Sequence, residues 1–449
     1  MAAKIVLIGA GSAQFGYDTL GDIFQSEKLK NSTIVLHDIN PDTLAVVEKT
    51  GKDFIAEHNL PFTITATTDR KTALQGADFC IISIEVGDRF KLWDQDWRVP
   101  LQYGIKQVFG ENGGPGGLFH SLRIIPPILE ICEDVMSICP NAYVFNYSNP
   151  MSRICTTVHR KFPELKFIGM CHEISSLTQH LPIILDRPIE DIFFRAGGLN
   201  HFSILLEVSD KSSGEDMYPV VREKAAGYFE SLPDLGEVMR QLEDAEAGST
   251  PGSEPALRSG AQKWAERGVF KVLLEKFGYL PITTDSHLGE YLQWAQDASD
   301  HRGILDFQNF YKQWIADMTP QIERKLSERV VPIMEGILFD LGYEEAAVNV
   351  PNNGLISQLP GFIAVEVPGI INKNGVTGIE LKNYPKAFGG LLQNQVAVHD
   401  MCAEAVLTGS RELVLQALLV DPVVDKVDAA DKMLTMMLEE QKEYLGYIK

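Results

Sequence analysis

Residues 4–12 read KIVLIGAGS. Lys4–Ile8 form a β-favouring, mostly apolar run that ends in Gly9-Ala10-Gly11-Ser12, and a helical pattern follows to about Lys28. A strand that runs into glycines and opens a helix is suited to hold a dinucleotide. The glycines allow a tight turn and close backbone approach to a pyrophosphate, and the helix start supplies free N–H groups and positive dipole. A second strand, Ser32–Leu36, leads into Asp38, 27 residues after Gly11. A carboxylate there accepts hydrogen bonds from an adenosine ribose and favours NAD over NADP. Gly9, Gly11, Ser12 and Asp38 are therefore the expected cofactor-binding residues. Gln14 stands where the GxGxxG fingerprint puts its third glycine, and the next glycine is Gly16.

Working outward, Phe62–Ala66, Asp78–Glu85, Ala142–Phe145 and Phe167–Met170 read as further strands, and Asp42–His58 as a helix. Strands alternating with helices predict an α/β fold with a parallel, doubly wound, Rossmann-like sheet. Ser83 and Glu85 close one of these strands and are expected beside the same crevice. After about residue 200, helical patterns dominate, near 217–245, 255–277, 303–347 and 394–447. They are interrupted by the strand-rich VNVPNNGLISQLPGFIAVEVPGIINKNG, 348–375. The expected division is a NAD-binding domain over 1–195 and an α+β domain for substrate, metal and oligomerisation over 196–449.

The chain has 449 residues, more than one ordinary core organises. Its 45% hydrophobic and 22% charged content is that of a globular protein. A formal net charge of −21 argues against nucleic acid or an anionic membrane as partner. No apolar window is long enough for a membrane helix, and the N-terminus lacks the pattern of a signal peptide, so a cytoplasmic protein is expected. Six cysteines without a CxxC point to reduced thiols.

Four stretches could carry chemistry. GENGGPGG, 110–117, is too glycine-rich for a strand or helix; it is either a flexible turn or backbone approaching a ligand. In NYSNPMS, 146–152, Asn149 precedes Pro150 and is restricted to extended geometry, which aims its amide from the sheet edge unless it makes a simple Asx turn. FIGMCHEISS, 167–176, supplies Cys171, and GGLNHF, 197–202, supplies His201. A thiolate and an imidazole from two loops suit a divalent ion of borderline softness and leave positions open for substrate oxygens. An inert thiol and a satisfied core histidine are the competing readings.

Taken together, GAGS at 9–12, GPGG at 114–117, NYSNP at 146–150, CHE at 171–173, GLNHF at 198–202 and VNVPNNG…LP…VEVP at 348–368 resemble glycoside hydrolase family 4. These are NAD-dependent glycosidases whose fold resembles the lactate and malate dehydrogenases. The resemblance implies that Cys171 and His201 bind a divalent cation, usually manganese, and that Asn149 contacts the sugar. It implies oxidation at carbon 3, loss of the carbon 2 proton, elimination of the glycosidic oxygen, addition of water, and return of the hydride. His172 is then the implied acid. The base falls in YLPITTDSHLGEY, 279–291, with Asp285 and His287 as candidates and Tyr291 behind them.

Glu173 belongs to the specificity signature, and CHE resembles the α-galacturonidase members. Trp93 lies about where phosphosugar members carry a phosphate-holding arginine, so an unphosphorylated substrate is expected. An α-galacturonide is the first expectation, with Arg89, and also Arg98 and Arg123, as candidates to hold the uronate carboxylate. The alternatives are an α-glucosidase or α-galactosidase of the same family, an NAD-dependent 2-hydroxy-acid dehydrogenase, and a non-enzymatic NAD sensor. The expected partners are a small glycoside and further copies of the chain, as a homodimer or homotetramer.

Overall fold

The computed structural model describes residues 2–12, 15–232 and 267–449. Its centre is one sheet of eleven strands. The strands are β1 Lys4–Ile8, β2 Thr33–His37, β3 Thr63–Thr67, β4 Phe79–Ile82, β5 Tyr143–Asn146, β6 Lys166–Gly169, β7 Ile192–Leu199, β8 Phe202–Asp210, β9 Tyr343–Pro351, β10 Ala364–Asn372 and β11 Gly375–Gly378. Along the sheet the order is β3-β2-β1-β4-β5-β6-β9-β10-β7-β8, with β11 beside β10. The first six pair in parallel, as the strand–helix alternation predicts. From β6 onward every pairing is antiparallel. Residues on both sides of position 195 therefore contribute to one sheet.

The parallel strands are apolar without alternation because both faces are covered. Ile5 and Leu7 pack into one core with Ile34, Leu36, Phe79 and Phe145. Val6 and Ile8 pack into the other with Val35, Ile82 and Val144, under the helix Gly114–Ile138 and the C-terminal helices. Each such side chain contributes about 1.5–3 kcal/mol on burial. The helix Pro41–Glu57 starts where Asn40 accepts the N–H groups of Asp42 and Thr43 and Pro41 fixes the first turn.

The structure departs from the sequence reading in several places. β4 stops at Ile82, so Ser83 and Glu85 lie past the strand and do not close it, and residues 318–329, expected helical, are irregular. Residues 343–347, expected helical, begin β9. The hairpin β7–β8 lies where helices were expected to take over: its burial on most positions hides a two-residue period. GPGG is not a loop but the first turn of the helix Gly114–Ile138. Its small residues are needed there, because a Cβ at Gly116 would lie 2.5 Å from Gly110 Cα, and one at Gly117 would lie 2.3 Å from the Asn112 carbonyl carbon. The close approach anticipated for this loop is to its own chain. Gln14 and the expected helical residues 233–245 and 255–266 lie outside the described residues.

Candidate active site

The strand ends on one edge of the sheet gather the sequence-predicted residues into two neighbouring groups. At the first, Gly9 has φ +88°, and a Cβ there would lie 2.0 Å from the Ser83 carbonyl oxygen. A Cβ at Gly11 would collide with Asp38, whose carboxylate accepts the Gly11 N–H at 2.8 Å and the Asn40 N–H at 2.9 Å. Asp38 stays partly exposed at the end of β2. The missing third glycine is replaced by Gly16: a Cβ there would lie 2.3 Å from the Ala10 carbonyl oxygen, so Gly16 performs the close helix–strand packing. Beyond β4, Glu85 faces His120 Nε2 at 3.3 Å and Arg89 at 3.8 Å. This crevice has the donor set a dinucleotide would use: a backbone that admits no side chains at Gly9 and Gly11 and a partly exposed carboxylate, Asp38, at the end of β2.

The second group surrounds Cys171 and His201. Cys171 follows β6, and His201 occupies the two-residue turn between β7 and β8, in the left-handed region at φ +61°. That conformation is uncommon for a residue with a side chain and marks a constrained position. Cys171 Sγ lies 3.5 Å from His201 Nε2, and Glu173 Oε1 lies 3.8 Å from the same nitrogen. Ligand atoms of Cys171, Glu173 and His201 all fall within 4.8 Å of one another. His201 Nδ1 and Glu173 Oε2 are buried without a partner. A thiolate, an imidazole and a carboxylate so placed fit a divalent cation of borderline softness. Glu173, placed in the substrate signature by sequence, is thus also a candidate ligand.

His287 stacks on His201, ring centroids 4.3 Å apart. Its Nδ1 bonds Glu173 Oε1, which also accepts Thr283 Oγ1 at 2.6 Å, and its Nε2 faces Glu111 Oε2 at 3.5 Å. Glu111 in turn accepts from Arg89 at 3.2 Å. The result is a chain of alternating charge from Arg89 to Glu111, His287 and Glu173. Burial opposes charge on His287, but Glu173 and Glu111 outweigh it and hold the imidazolium well above the usual range. Burial likewise raises Glu173, yet His201 and His287 bring it down to about 2. His201 is pushed down to about 4, mainly by burial, and is neutral as a metal ligand must be. Desolvation, with Glu173 and Glu366 nearby, drives the Cys171 thiol well up, so a cation taking the thiolate displaces a proton.

The other predicted residues divide. His172 is 72% exposed beside the cluster, with Nδ1 3.4 Å from Glu328 Oε1. Asn149 has a buried, unpartnered Oδ1. Asp285 is fully buried and accepts the N–H groups of Val269 and Phe270, both at 2.9 Å. Its carboxylate anchors a helix start and is not free to act as a base. Tyr291 is buried and stacked on Phe202. Arg123 is locked on Asp96 inside the protein, and Arg98 pairs with Asp94 on the surface at 2.6 Å. The sequence reading missed Glu111, Glu290, Glu328 and Glu366. Glu290 holds the loop carrying Glu111, taking the N–H groups of Glu111, Asn112 and Gly113. For Glu111, Glu290 and Glu366 the available signal was a lone carboxylate in a glycine-rich or apolar run; Glu328, in the charged stretch QIERKLSER, 321–329, offered none.

Comparison with known proteins places the chain in a family. Residues 4–186 match the family 4 glycosyl hydrolase model, and residues 196–424 match the family 4 glycosyl hydrolase C-terminal domain. The chain is 60% identical to an α-glucosidase of Erwinia rhapontici over the full length of both. It is 30% identical to an α-galacturonidase of Bacillus subtilis, covering 95% of this chain and 94% of the relative. Among solved structures, a 6-phospho-α-glucosidase from gut microorganisms, in complex with NAD and Mn²⁺, superposes with a TM-score of 0.76 at 21% identity, covering 98% of each chain. The malate dehydrogenase of Plasmodium falciparum superposes with a TM-score of 0.50 at 15% identity, over 92% of this chain and all of the other, so the dehydrogenase-like fold is shared. With both halves of the chain matched in order, the protein belongs to glycosyl hydrolase family 4 and is an O-glycosidase.

Proposed function

We propose that the protein hydrolyses unphosphorylated α-glucosides, using NAD and a divalent metal such as manganese. This replaces galacturonate, the first expectation from CHE, with the glucosidase alternative. The observation that carries it is the state of the arginines. A uronate needs a guanidinium to meet its carboxylate, yet Arg89 already faces Glu111, Glu85 and the Tyr311 hydroxyl, Arg98 faces Asp94, and Arg123 faces Asp96. The 60% identity to a relative named α-glucosidase, against 30% to one named α-galacturonidase, supports the same choice.

When bound, NAD and the metal supply a hydride acceptor for carbon 3 and polarisation of the adjoining sugar oxygens. Cys171, His201 and Glu173, through its unpartnered Oε2, are the residues placed to hold the metal. Gly9, Gly11, Ser12 and Asp38 hold the dinucleotide, with Ser83 and Glu85 bordering it. Asn149 Oδ1 accepts a sugar hydroxyl. His172, exposed and oriented by Glu328, donates the proton to the departing glycosidic oxygen. Of the two base candidates only His287 reaches the cluster. Glu173 and Glu111 hold it charged in the metal-free protein; a cation held by Glu173 would offset that carboxylate and free the imidazole to take the carbon 2 proton. Residues 1–195 thus contribute the cofactor side together with Asn149, Cys171, His172 and Glu173, and residues 196–449 the imidazoles of His201 and His287, so metal and substrate are shared between the two parts and not confined to 196–449. Exposed Leu419, Val420, Val427 and Met436 near the C-terminus favour a homodimer or homotetramer; a monomer in sedimentation velocity at micromolar concentration would reject that assembly.

The test is a comparison of initial rates on nitrophenyl α-glucoside, α-galactoside, α-galacturonide and α-glucoside 6-phosphate, with NAD⁺, Mn²⁺ and a thiol reductant. The glucoside should be fastest, with no net NADH. A faster galacturonide or phosphorylated substrate overturns the substrate; stoichiometric NADH overturns hydrolysis.

A further inference from the structure

Cys171 and His201 follow strands that are not neighbours. β6 and β7 are separated in the sheet by β9 and β10. Three strand spacings put them about 14 Å apart, yet Sγ and Nε2 meet at 3.5 Å. Something must fix the span.

One row of residues crosses all four strands: Gly169 of β6 is paired with Asn349 of β9, Asn349 with Glu366 of β10, and Glu366 with Gly198 of β7. Cys171 comes two positions after the first glycine, and His201 three after the last. The outer positions are glycine because there is no room: a Cβ at Gly169 would lie 2.8 Å from Asn349 Cβ, and one at Gly198 would lie 2.4 Å from the Phe202 carbonyl oxygen. The middle pair carries the polar contacts. Asn349 Nδ2 donates to the Gly169 carbonyl at 3.4 Å and to Glu366 Oε2 at 3.3 Å. Glu366 also accepts from Asn200 Nδ2 at 2.6 Å and from Ser203 Oγ at 2.9 Å. Asn200 and Ser203 flank His201 on its hairpin turn. Glu366 is 3% exposed, and it is the only charged residue in the run from Ile363 to Ile371.

We propose that Glu366 is a positioning residue for the metal site, tying the turn that presents His201 to the strand that presents Cys171. Carboxylates that orient metal ligands from behind commonly set affinity by 10- to 100-fold. The inference rests on Cys171 and His201 being the ligands, and the test separates the two ideas.

The test titrates Mn²⁺ into the full-length protein by EPR of the free ion, for the parent, Cys171→Ser and Glu366→Gln, with NAD⁺ affinity and apo melting temperature measured alongside. The amide of Glu366→Gln keeps the volume but turns one acceptor into a donor facing Asn200 or Ser203. Its Mn²⁺ Kd should rise about 10- to 100-fold, with NAD⁺ affinity unchanged and turnover recovered at high Mn²⁺. A purely structural role would lower the melting temperature without this selective change. If Glu366→Gln does not fold, Asn349→Ala, which keeps the Glu366 carboxyl but cuts the link to β6, should raise the Kd at least threefold. Lost affinity in Cys171→Ser with a Kd within twofold of the parent in the folded Glu366 or Asn349 variant overturns this proposal alone. Unchanged affinity in Cys171→Ser overturns the metal assignment and this proposal with it.

Discussion

The thiol sulfur of Cys171 and the Nε2 of His201 lie 3.5 Å apart, with a Glu173 oxygen 3.8 Å from that nitrogen. A hydroxyl is a poor ligand for a borderline-soft ion at neutral pH. Cys171→Ser should therefore keep NAD⁺ binding and fold but lose turnover at micromolar Mn²⁺. Cys171 is the only one of the six cysteines outside the fully buried class. Because desolvation keeps this thiol protonated in the metal-free protein, oxidation in air should inactivate the parent only slowly, and reductant should restore it where the thiol has gone no further than a reversible state. Turnover by the serine variant in metal-stripped buffer would reject the assignment.

Asp38 would link the two glycine-loop functions, because the carboxylate that accepts the Gly11 N–H is also the one proposed to hold the ribose. Asp38→Ala removes both. NAD⁺ affinity should fall at least tenfold by calorimetry, while Mn²⁺ affinity stays the same. Equal losses for both ligands would point to a misfolded edge instead.

His287 and Asp285 lie two positions apart with opposite prospects. His287→Asn removes the group between Glu173 and Glu111 and should lower kcat by about 10²–10⁴ with little change in NAD⁺ affinity. Asp285→Asn leaves one of two buried backbone N–H groups without its acceptor, costing about 1–3 kcal/mol of stability. Its kcat on the enzyme that remains folded should be close to that of the parent. Reversed outcomes, with Asp285→Asn dead and stable, would restore Asp285 as the base.

How much of this was legible in the sequence follows from physical range. The parallel sheet could be read because strands buried on both faces announce themselves in four or five consecutive residues, as in β1. Cys171, His201 and Asn149 were legible because each ends a strand or sits in a marked turn. The jobs of Asp285 and Arg123 were not legible. Their partners, Val269 and Phe270 for one and Asp96 for the other, are fixed by tertiary packing. Glu111 and Glu366 escaped for the same reason: neither local pattern nor spacing tells which buried carboxylate faces a distant histidine or asparagine. Gly16 shows the opposite case, a fingerprint glycine displaced in sequence but performing the same packing in space.

Asp421 gives a pH test away from the active site. Burial pushes its carboxyl up to about 6 from 3.8, against the opposing Val423 N–H bond and nearby Arg153. The native state therefore keeps this proton at pH values where the unfolded chain has lost it. Its stabilising contribution is complete below the unfolded value and disappears as pH rises toward 6. Asp421→Asn should flatten the decline in urea-unfolding stability between pH 4.5 and 6.5 relative to the parent. Parallel curves for the two proteins would show that Asp421 does not titrate in this window.

Arg89 decides between the two substrate readings. Its guanidinium faces Glu111 at 3.2 Å, Tyr311 at 3.2 Å and Glu85 at 3.8 Å. If it serves to balance those carboxylates, Arg89→Met strands Glu111 next to His287 and disturbs catalysis whatever the sugar. The kcat on nitrophenyl α-glucoside should then fall at least tenfold, and the ratio of kcat/KM between glucoside and galacturonide should hold within about twofold. If instead it clamps a uronate, the galacturonide alone should suffer, with a truncation cost on the order of 2–4 kcal/mol for a desolvated charge pair. The glucoside would then be nearly untouched. Measuring kcat/KM for both substrates on both proteins separates the cases, because a neutral sugar has no charge to lose at that position, whereas Glu111 and His287 act on either one.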